Sequence, residues 1–402
     1  MTSFFKKCKT YYRFGGPTQA KIMRIYPYFK EIESQQEPVV IIDGKEVIML
    51  GSNNYLGMTS HPKVKKAAMN ALEKYGTGTT GSRLLNGTMS IHVQLEKELA
   101  EFLEKEDAVV FSTGMQANLG ALSSLLSEKD EWVISDQQNH ASIIDGIRLA
   151  RMDPTHKKIF KHNDMEDLEQ KLKEVPKGKG LIVVDGIYSM EGDIAKLDYI
   201  IDLAEDYEAG VYVDDAHSTG VIGKNGRGTA SHFNLTDKVD VIMGTFSKSF
   251  ASVGGFVVAS KEICNWIRHK ARSFIFSASP PPANCATVLA VLDIIRNDDS
   301  YQKNVLRLAE KMRKGLQDLG LDTGHSQTPI IPIIIGQFRK TMRAYKELMN
   351  AKPKGIFTNP VLPPATPKGR ELLRTSYMAT MNDGIIEEAL QIIEEKARKL
   401  KI

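Results

Sequence analysis

Residues 239–249, VDVIMGTFSKS, place a lysine directly after an apolar run. The apolar residues 241–244 predict a buried strand, and small hydroxyl residues lie on both sides of Lys248. Lysine is rarely buried without a partner, and an amine in a desolvated pocket is a usable nucleophile. Most lysines at strand ends simply reach solvent. This stretch therefore predicts a reactive amine only if other residues of an active site are found as well.

Strand-like runs alternate with helical patterns through the middle of the chain. The runs lie at residues 109–111, 133–135, 181–185, 211–214, 241–244 and 255–258. This alternation predicts an α/β fold with a mostly parallel central sheet and helices on both faces. We expect an N-terminal arm (1–45), a large domain (46–282) and a smaller C-terminal α/β domain (283–402). One long helical stretch is expected over 283–319.

Two carboxylates and an imidazole follow the run 211–213, namely Asp214, Asp215 and His217. Such groups at a buried strand end are costly unless something uses them. One interpretation is metal binding, although the sequence contains no His-x-x-x-His or Cys-x-x-Cys. The other is a carboxylate that keeps a pyridine nitrogen protonated, as pyridoxal phosphate (PLP) requires, with the imidazole near the ring oxygen.

Two more strand ends carry candidate residues. Ser112-Thr113-Gly114 joins a predicted strand to a helix that begins near Met115. The free N–H groups of such a helix start suit a phosphate, although plain capping is the commoner role of these residues. His140 follows the strand 132–136 and could cap a helix or lie flat on a cofactor ring. Because Lys248 also lies at a strand end, we favour stacking.

The glycine pattern at residues 76–81, GTGTTG, matches G-x-G-x-x-G. A dinucleotide site requires a strand before this pattern and a helix opening within it. A helix predicted over 62–75 precedes it here instead. We therefore reject NAD binding and predict a loop near a substrate, which continues to Gly87.

Five motifs occur in a specific order along the chain. They are SNNYLG at 52–57, NHASIIDG at 139–146, DGIYSMEGD at 185–193, VDDAHSTG at 213–220 and GTFSKS at 244–249. Together they resemble the α-oxoamine synthases, which are fold-type I PLP enzymes, and the similarity extends from about Tyr28 to the C-terminus. Residues 81–87, 244–249 and 358–365 are most similar to the members that condense serine with a long-chain acyl-CoA.

The resemblance implies a role for each matching residue. Lys248 would hold PLP as a Schiff base and move the proton of the amino acid Cα. Asp214 would pair with the pyridine nitrogen, His217 would reach the ring oxygen, and His140 would stack on the ring. The residues implied around the cofactor phosphate and the edge of the site are Gly114, Met115, Thr245, Ser247, Ser189 and, in a homodimer, Ser277 toward the phosphate of the second subunit.

The resemblance also implies three substrate-binding residues, Arg374, Asn53 and Ser82. Arg374 matches the arginine that binds the amino-acid carboxylate, whereas chemistry alone would leave it a surface arginine. The implied reaction is a decarboxylative Claisen condensation of L-serine with palmitoyl-CoA, which gives 3-oxosphinganine, CoA and CO2. The alternatives are 7-keto-8-aminopelargonate synthase, 2-amino-3-ketobutyrate CoA ligase and, outside the family, a PLP aminotransferase.

Composition is that of an ordinary soluble globular protein. The net charge of +4 gives no indication of nucleic-acid binding, and a mild basic excess suits an acyl-CoA. Three cysteines without a pairing pattern fit a cytoplasmic protein. Residues 1–13 are basic and aromatic but lack a signal-peptide core. We interpret them as a disordered or dimer-wrapping arm, with contact to the inner membrane surface as the alternative.

Overall fold

The computed structural model describes residues 2–23 and 25–402. The strands of this part of the chain form three sheets. The strands are β1 (Val39–Ile42), β2 (Lys45–Met49), β3 (Asp107–Phe111), β4 (Trp132–Asp136), β5 (Lys157–Phe160), β6 (Gly180–Asp185), β7 (Gly210–Asp214), β8 (Val241–Thr245), β9 (Gly255–Ala259), β10 (Ile330–Ile334), β11 (Gly355–Phe357), β12 (Asn359–Val361) and β13 (Leu372–Ser376).

Fifteen α-helices accompany these strands within the described residues. They are α1 (Lys6–Phe14), α2 (Gly16–Ile22), α3 (Pro62–Tyr75), α4 (Ser90–Phe102), α5 (Gly114–Leu125), α6 (Ala141–Leu149), α7 (Met165–Leu172), α8 (Leu197–Tyr207), α9 (Thr229–His232), α10 (Lys261–Lys270), α11 (Arg272–Ile275), α12 (Pro282–Asn297), α13 (Ser300–Asp318), α14 (Phe338–Met349) and α15 (Asp383–Leu400). None of the helices described has the length and apolar character needed to cross a membrane.

The central sheet has seven strands in the order β3-β9-β8-β7-β6-β4-β5. All its pairings are parallel except those of β9, which runs antiparallel to both neighbours. The predicted mostly parallel sheet is therefore confirmed. Because β4, β6, β7 and β8 are parallel, their carboxyl ends meet at one edge, where ligands of open α/β sheets bind.

Helices cover both faces of the central sheet. Neighbouring residues of one strand enter different cores: Val110 packs in the core with α3, α4 and α12, whereas Val109 packs in the core with α5, α6 and α10. Burial on both faces explains why the strands are continuous apolar runs rather than alternating ones. The sheet is thus a rigid base for side chains at its edge.

A second core lies among the C-terminal elements. It joins α13, α14 and α15 to the sheets β10-β13-β12 and β1-β2-β11, and it includes buried residues from 40 to 50. Helix α12 instead packs in the large-domain core. The predicted boundaries at 45/46 and 282/283 stay a prediction, and we propose from this packing that the small domain includes 39–50 and resumes near 300.

The predicted helical stretch over 283–319 is two helices. Helix α12 ends at Asn297, and Asp298 has an extended backbone with φ of −142° and ψ of 104°. The Oδ1 atom of Asp298 accepts the backbone N–H of Ser300 at 2.9 Å. This local hydrogen bond competes with helix continuation and separates the helix on the large core from the helix on the small core.

Candidate active site

The carboxyl ends of the parallel strands surround a cavity of about 310 Å³. The cavity lies at the predicted edge of the sheet, beside the start of α5 and the turn after β8. Eight of the predicted site residues line it: Gly114, Met115, His140, Asp214, His217, Thr245, Ser247 and Lys248. The structure therefore brings together the groups that the sequence placed on separate strand ends.

Lys248 lies three residues beyond the end of β8 and is half-buried. Burial lowers the pKa of its amine to about 8, and the charge of Arg374 acts in the same direction. The carboxylates of Asp214 and Asp185 oppose this shift. The physical consequence is an amine that is partly neutral near physiological pH, as a nucleophile or a base requires.

Asp214 ends β7, and its carboxylate is held at both oxygens. Oδ2 accepts a hydrogen bond from Nδ2 of Asn118 at 2.7 Å, and Oδ1 accepts the backbone N–H of Ala216 at 3.0 Å. The hydroxyl of Tyr212 donates to Oδ1 of Asn118 at 2.7 Å, which fixes the orientation of the amide. Sequence reasoning missed Asn118, although a fully buried amide in the apolar helix α5 signals a polar partner.

A second carboxylate, Asp185, lies beside Asp214 at the end of the neighbouring strand β6. The two residues are partners in the parallel pairing of β6 with β7, and both line the cavity. Burial and the charge of Asp214 raise the pKa of Asp185 well above its ordinary value. Asp185 is therefore easier to protonate than an ordinary aspartate.

His217 belongs to a hydrogen-bonded corner that joins three parts of the chain. Its Nδ1 lies 2.7 Å from the hydroxyl oxygen of Tyr55. That hydroxyl is 3.2 Å from Oδ1 of Asn53, to which Nη2 of Arg374 donates at 3.0 Å. Burial and the positive charges of Lys248 and Arg374 hold the pKa of His217 well below its ordinary value. The imidazole is therefore neutral, and Tyr55 is a site residue that sequence reasoning missed.

Arg374 lies on β13 of the small domain and reaches the edge of the large domain. Its Nε donates to the backbone carbonyl of Ser189 at 2.5 Å, and the side chain is almost fully buried. Arg374, Ser189 and Asn53 do not line the cavity around Lys248. Asn53 lines a neighbouring pocket that also contacts Lys248 and Ser247. This corner thus adjoins the cavity on the small-domain side.

His140 begins the helix α6 and lines the cavity. The backbone N–H of Ser142 donates to its Nδ1 at 3.2 Å, so the side chain caps the helix. Its own backbone N–H donates to Oδ1 of Asp185 at 3.3 Å, and the residue remains exposed in the single chain. The two predicted alternatives, capping and facing a cofactor, are therefore compatible in one side chain.

The start of α5 is shaped to approach a ligand closely. A Cβ atom on Gly114 would lie 2.8 Å from Oγ1 of Thr245, so a side chain here would fill the space between α5 and β8. Oγ1 of Thr245 is 3.0 Å from Oγ of Ser247. Thr113 caps the helix by accepting from the N–H of Gln116, while the earlier N–H groups have no intrahelical acceptor. These donors fit a phosphate, and Asp214 fits a cationic ring nitrogen.

Ser277 and Ser82 are two further predicted residues that do not line this cavity in the single chain. Oγ of Ser277 accepts from Nε2 of Gln116 at 2.9 Å. Ser82 pairs by backbone with Ala278, and its buried hydroxyl has no partner among the described residues. Their predicted roles, toward the phosphate of a second subunit and toward substrate, stay predictions.

The chain is similar to characterised PLP enzymes along almost its full length. The sequence profile of the family described as aminotransferase class I and II matches residues 45–393. Serine palmitoyltransferase from Bacteriovorax stolpii is 51% identical over 94% of this chain and 88% of its own. The 8-amino-7-oxononanoate synthase of Thermoanaerobacter pseudethanolicus is 43% identical over 94% of each chain.

A solved structure shows the same fold. It is a lysine-to-alanine variant of serine palmitoyltransferase from S. paucimobilis with a bound PLP–myriocin aldimine. It superposes with a TM-score of 0.93 at 35% identity and covers 98% of each chain. The predicted fold-type I architecture and the PLP cofactor are confirmed. The chain belongs to the aminotransferase class I and II family and, within it, to the α-oxoamine synthases, which are PLP-dependent acyltransferases.

Proposed function

We propose that the protein condenses L-serine with palmitoyl-CoA to 3-oxosphinganine, CoA and CO2. The observation that carries this proposal is the partly neutral amine of Lys248 in one cavity with Asp214 and His140. An amine of this kind can both bind an aldehyde and move a proton at carbon. The lipid substrate is supported by the 51% identity to a serine palmitoyltransferase.

Each residue of the cavity has a distinct task in this proposal. Lys248 would hold the cofactor aldehyde and, once the amino acid has replaced it there and its amine is free, would accept the Cα proton. Asp214, fixed by Asn118, would keep the ring nitrogen protonated, and Thr245 with the start of α5 would hold the phosphate. PLP, when bound, supplies an electron sink for the negative charge that develops at Cα.

The corner around Arg374 is proposed to bind the amino-acid carboxylate. The guanidinium is almost fully buried and is held by Ser189 and Asn53, so its direction is set before a substrate arrives. A bidentate arginine–carboxylate contact fixes a planar group in one orientation. Fixing the carboxylate sets the orientation of the bonds at Cα, and this orientation decides which of them breaks. Any α-amino acid would satisfy this contact.

The second candidate function is 8-amino-7-oxononanoate synthesis, the reaction of 7-keto-8-aminopelargonate synthase. The observation in its favour is the 43% identity to that enzyme over 94% of both chains. It would use the same lysine, aspartate and arginine with a different amino acid and acyl group. The distinction therefore concerns the groups that contact the amino-acid side chain and the far end of the acyl chain, and not Lys248, Asp214 or Arg374.

Turnover of substrate pairs distinguishes the two functions. PLP-loaded protein is given serine, alanine or glycine with palmitoyl-CoA or pimeloyl-CoA, and each keto product is measured by mass spectrometry. We expect kcat/KM for serine with palmitoyl-CoA to exceed that for alanine with pimeloyl-CoA by roughly 100-fold. The reverse order would move the assignment to the second function. Amino transfer to a 2-oxoacid would move it to an aminotransferase.

We also propose a homodimer and a membrane contact for the N-terminal arm. Residues 2–14 are exposed throughout, and the exposed side chains include Phe4, Tyr12 and Phe14. The first thirty residues contain seven basic and no acidic side chains. Exposed aromatic groups combined with positive charge suit an anionic membrane surface, where an enzyme of lipid synthesis would meet its substrate.

A further inference from the structure

We propose that His162 is a positioning residue that, as an imidazolium, joins the loop carrying His140 to the turn supporting Arg374. The inference rests on the proposed function only in that these two residues bind cofactor and amino acid. His162 follows β5 and lies outside the cavity around Lys248. It belongs to none of the predicted site motifs.

Both ring nitrogens of His162 face carboxylates. Nδ1 lies 3.1 Å from Oδ1 of Asp136, and Nε2 lies 2.9 Å from Oδ2 of Asp193. An ionised carboxylate can only accept hydrogen bonds, so both nitrogens must carry protons. With both carboxylates ionised, this geometry fits the charged ring. The edge-to-face ring of Tyr188, at a centroid distance of 4.3 Å, keeps the imidazole in place.

The first carboxylate, Asp136, holds the loop that ends at His140 in place by hydrogen bonds. Oδ1 of Asp136 also accepts the backbone N–H of Gln138 at 2.7 Å, and Oδ2 accepts that of Asn163 at 3.0 Å. The loop from 136 to 140 is therefore tied to the end of β5. A shift of Asp136 would move the start of α6, where His140 both caps the helix and lines the cavity.

The second carboxylate belongs to Asp193, a residue of the turn whose Ser189 carbonyl binds Arg374. The backbone carbonyl of Asp193 accepts the N–H of Tyr188 at 3.0 Å, and the carbonyl of Tyr188 accepts the N–H of Gly192 at 2.9 Å. Ser189 lies inside this closed turn, and its carbonyl accepts from Nε of Arg374. His162 thus connects the cofactor side of the site to the substrate side through hydrogen bonds.

The electrostatic surroundings of His162 keep it charged. Burial lowers the pKa of His162, but its hydrogen bonds to Asp136 and Asp193 and their negative charges outweigh burial and raise the pKa to about 9. The ring also faces Tyr188 and a cleft of about 940 Å³, so it can exchange protons with solvent. The other charged or titratable groups along that cleft are Glu191, which pairs with Arg370, together with Lys196, Asp198, Tyr199, His232 and His325.

Replacing His162 would leave two buried carboxylates facing each other without a cation. Asp136 is fully buried at its side chain and Asp193 nearly so. Like charges in a desolvated place repel strongly, so the loop and the turn should separate or take up protons. His140 and Arg374 would remain in the protein, but their side chains would be held less precisely.

The test compares His162→Gln with His156→Gln. His156 is a matched control because its ring stacks on Trp132 and its Nδ1 hydrogen-bonds to the backbone carbonyl of Glu131, away from the cavity. Loss of a residue that orients the ligands of a metal site costs about 10- to 100-fold in affinity, and we take the lower end for this PLP site. We therefore expect His162→Gln to raise the Kd for PLP and the KM for the amino acid by about 10-fold each. The change in kcat should be smaller. The control should resemble the wild type.

Amino-acid binding is read from the absorbance of PLP-loaded protein, for whichever amino acid the wild type binds. This readout works even if serine is not condensed with palmitoyl-CoA, so failure of the proposed function is seen separately. A purely structural role would lower the melting temperature while PLP affinity and KM stay within twofold, and this result would overturn the proposal.

A second measurement needs no variant. The pKa of His162 is followed in the wild type by the pH dependence of its ring NMR signals. A value near 9 supports the charged bridge, whereas a value at or below 6.5 would overturn it. If His162→Gln does not fold, this titration still tests whether the ring carries the charge that the bridge requires.

Discussion

The regions around His217 and His162 give the same side chain different protonation states, a neutral ring in one and a positively charged ring in the other. His217 lies near the cations of Lys248 and Arg374, and its pKa is well below the ordinary value. His162 lies between Asp136 and Asp193, and its pKa is about 9. Both rings are largely removed from water, so burial alone favours neutrality in each. The difference shows that neighbouring charges decide the protonation state.

The two regions also differ in function. The neutral ring of His217 keeps one N–H and one lone pair, so its contact with Tyr55 determines which nitrogen can donate toward a ligand. The charged ring of His162 can only donate, which suits it to hold two acids together. Three experiments test this contrast, and a fourth tests the proposed membrane contact of the N-terminal arm.

The largest effect is expected for Lys248→Ala. Removing the amine should reduce turnover by at least about 1,000-fold, because the proton acceptor at Cα is lost. It should also raise the pKa of His217, since a nearby positive charge disappears. Turnover is measured with saturating substrates, and the histidine by NMR.

Lys270→Ala is the matched control, because this exposed lysine lies over Trp266 at the end of α10. It should retain wild-type turnover. Normal condensation by Lys248→Ala would disprove the role of the amine. An unchanged titration of His217 would break the explanation for its neutrality.

The next effect concerns stability at high pH. His162 has a folded pKa of about 9, above its unfolded value of about 6.5. The stabilisation that His162 gives the folded state is therefore fully present below about pH 6.5 and is lost as the pH rises through about 9. The contribution should be about 3 kcal/mol of unfolding free energy. Denaturant unfolding from pH 6 to 10 measures it.

The difference in unfolding free energy between wild type and His162→Gln isolates this residue. Lys248 acts in the opposite sense, because its lowered pKa favours the folded state at high pH. If the unfolding free energy of the wild type exceeds that of His162→Gln by an amount that falls as the pH rises, the charged form of His162 is supported. An advantage independent of pH would contradict the charged form of His162.

A smaller effect is expected for Tyr55→Phe. This change removes the hydrogen bond to Nδ1 of His217 and one contact of Arg374 while it keeps the ring. We expect a 3- to 10-fold loss in kcat/KM, roughly the value of one or two hydrogen bonds. A change in the 15N shifts of His217 should show an altered tautomer.

Tyr377→Phe is the control, because Tyr377 is also buried and its hydroxyl contacts Thr375, which does not line the cavity. Its kcat/KM should stay near that of the wild type. Wild-type 15N shifts for His217 in Tyr55→Phe would show that Tyr55 does not set the tautomer.

The smallest effect on turnover is expected in the N-terminal arm, where the charges lie in water. Changing Lys6, Lys7 and Lys9 to Glu should leave condensation of dispersed acyl-CoA unchanged. It should abolish binding to vesicles that contain phosphatidylglycerol, because each basic residue near an anionic surface contributes about 1 kcal/mol. Vesicle cosedimentation measures this, and vesicles of phosphatidylcholine alone are the control. Equal binding of variant and wild type would disprove the membrane contact.

Local pattern predicted much of this molecule. Each of the six runs from 109–111 to 255–258 lies within one strand of the central sheet. The residues that follow them, such as Lys248 and Asp214, line one cavity because parallel strands end at a common edge. The rejection of a dinucleotide site at 76–81 agrees with the helix that ends at Tyr75. The five motifs also led to the correct family.

Other features depended on distant contacts. Residue chemistry alone would leave Arg374 a surface arginine, and only the family resemblance indicated a binding role. In the structure β13 places it against Ser189 and Asn53, which are 185 and 321 residues away. Tyr55 and Asn118 had no signal strong enough to rank them above other buried polar residues. The break at Asp298 was missed because a single capping contact outweighed a continuous helical pattern.

The sequence by itself determined the order of strands and helices, the strand-end positions of the lysine and the aspartate, and the family. These depend on residues that are close together in the chain. Only the tertiary structure decided the charge of each histidine, the surroundings of Arg374 and the link through His162. A protonation state depends on which charges lie within a few ångströms, and in both regions those charges come from separate elements.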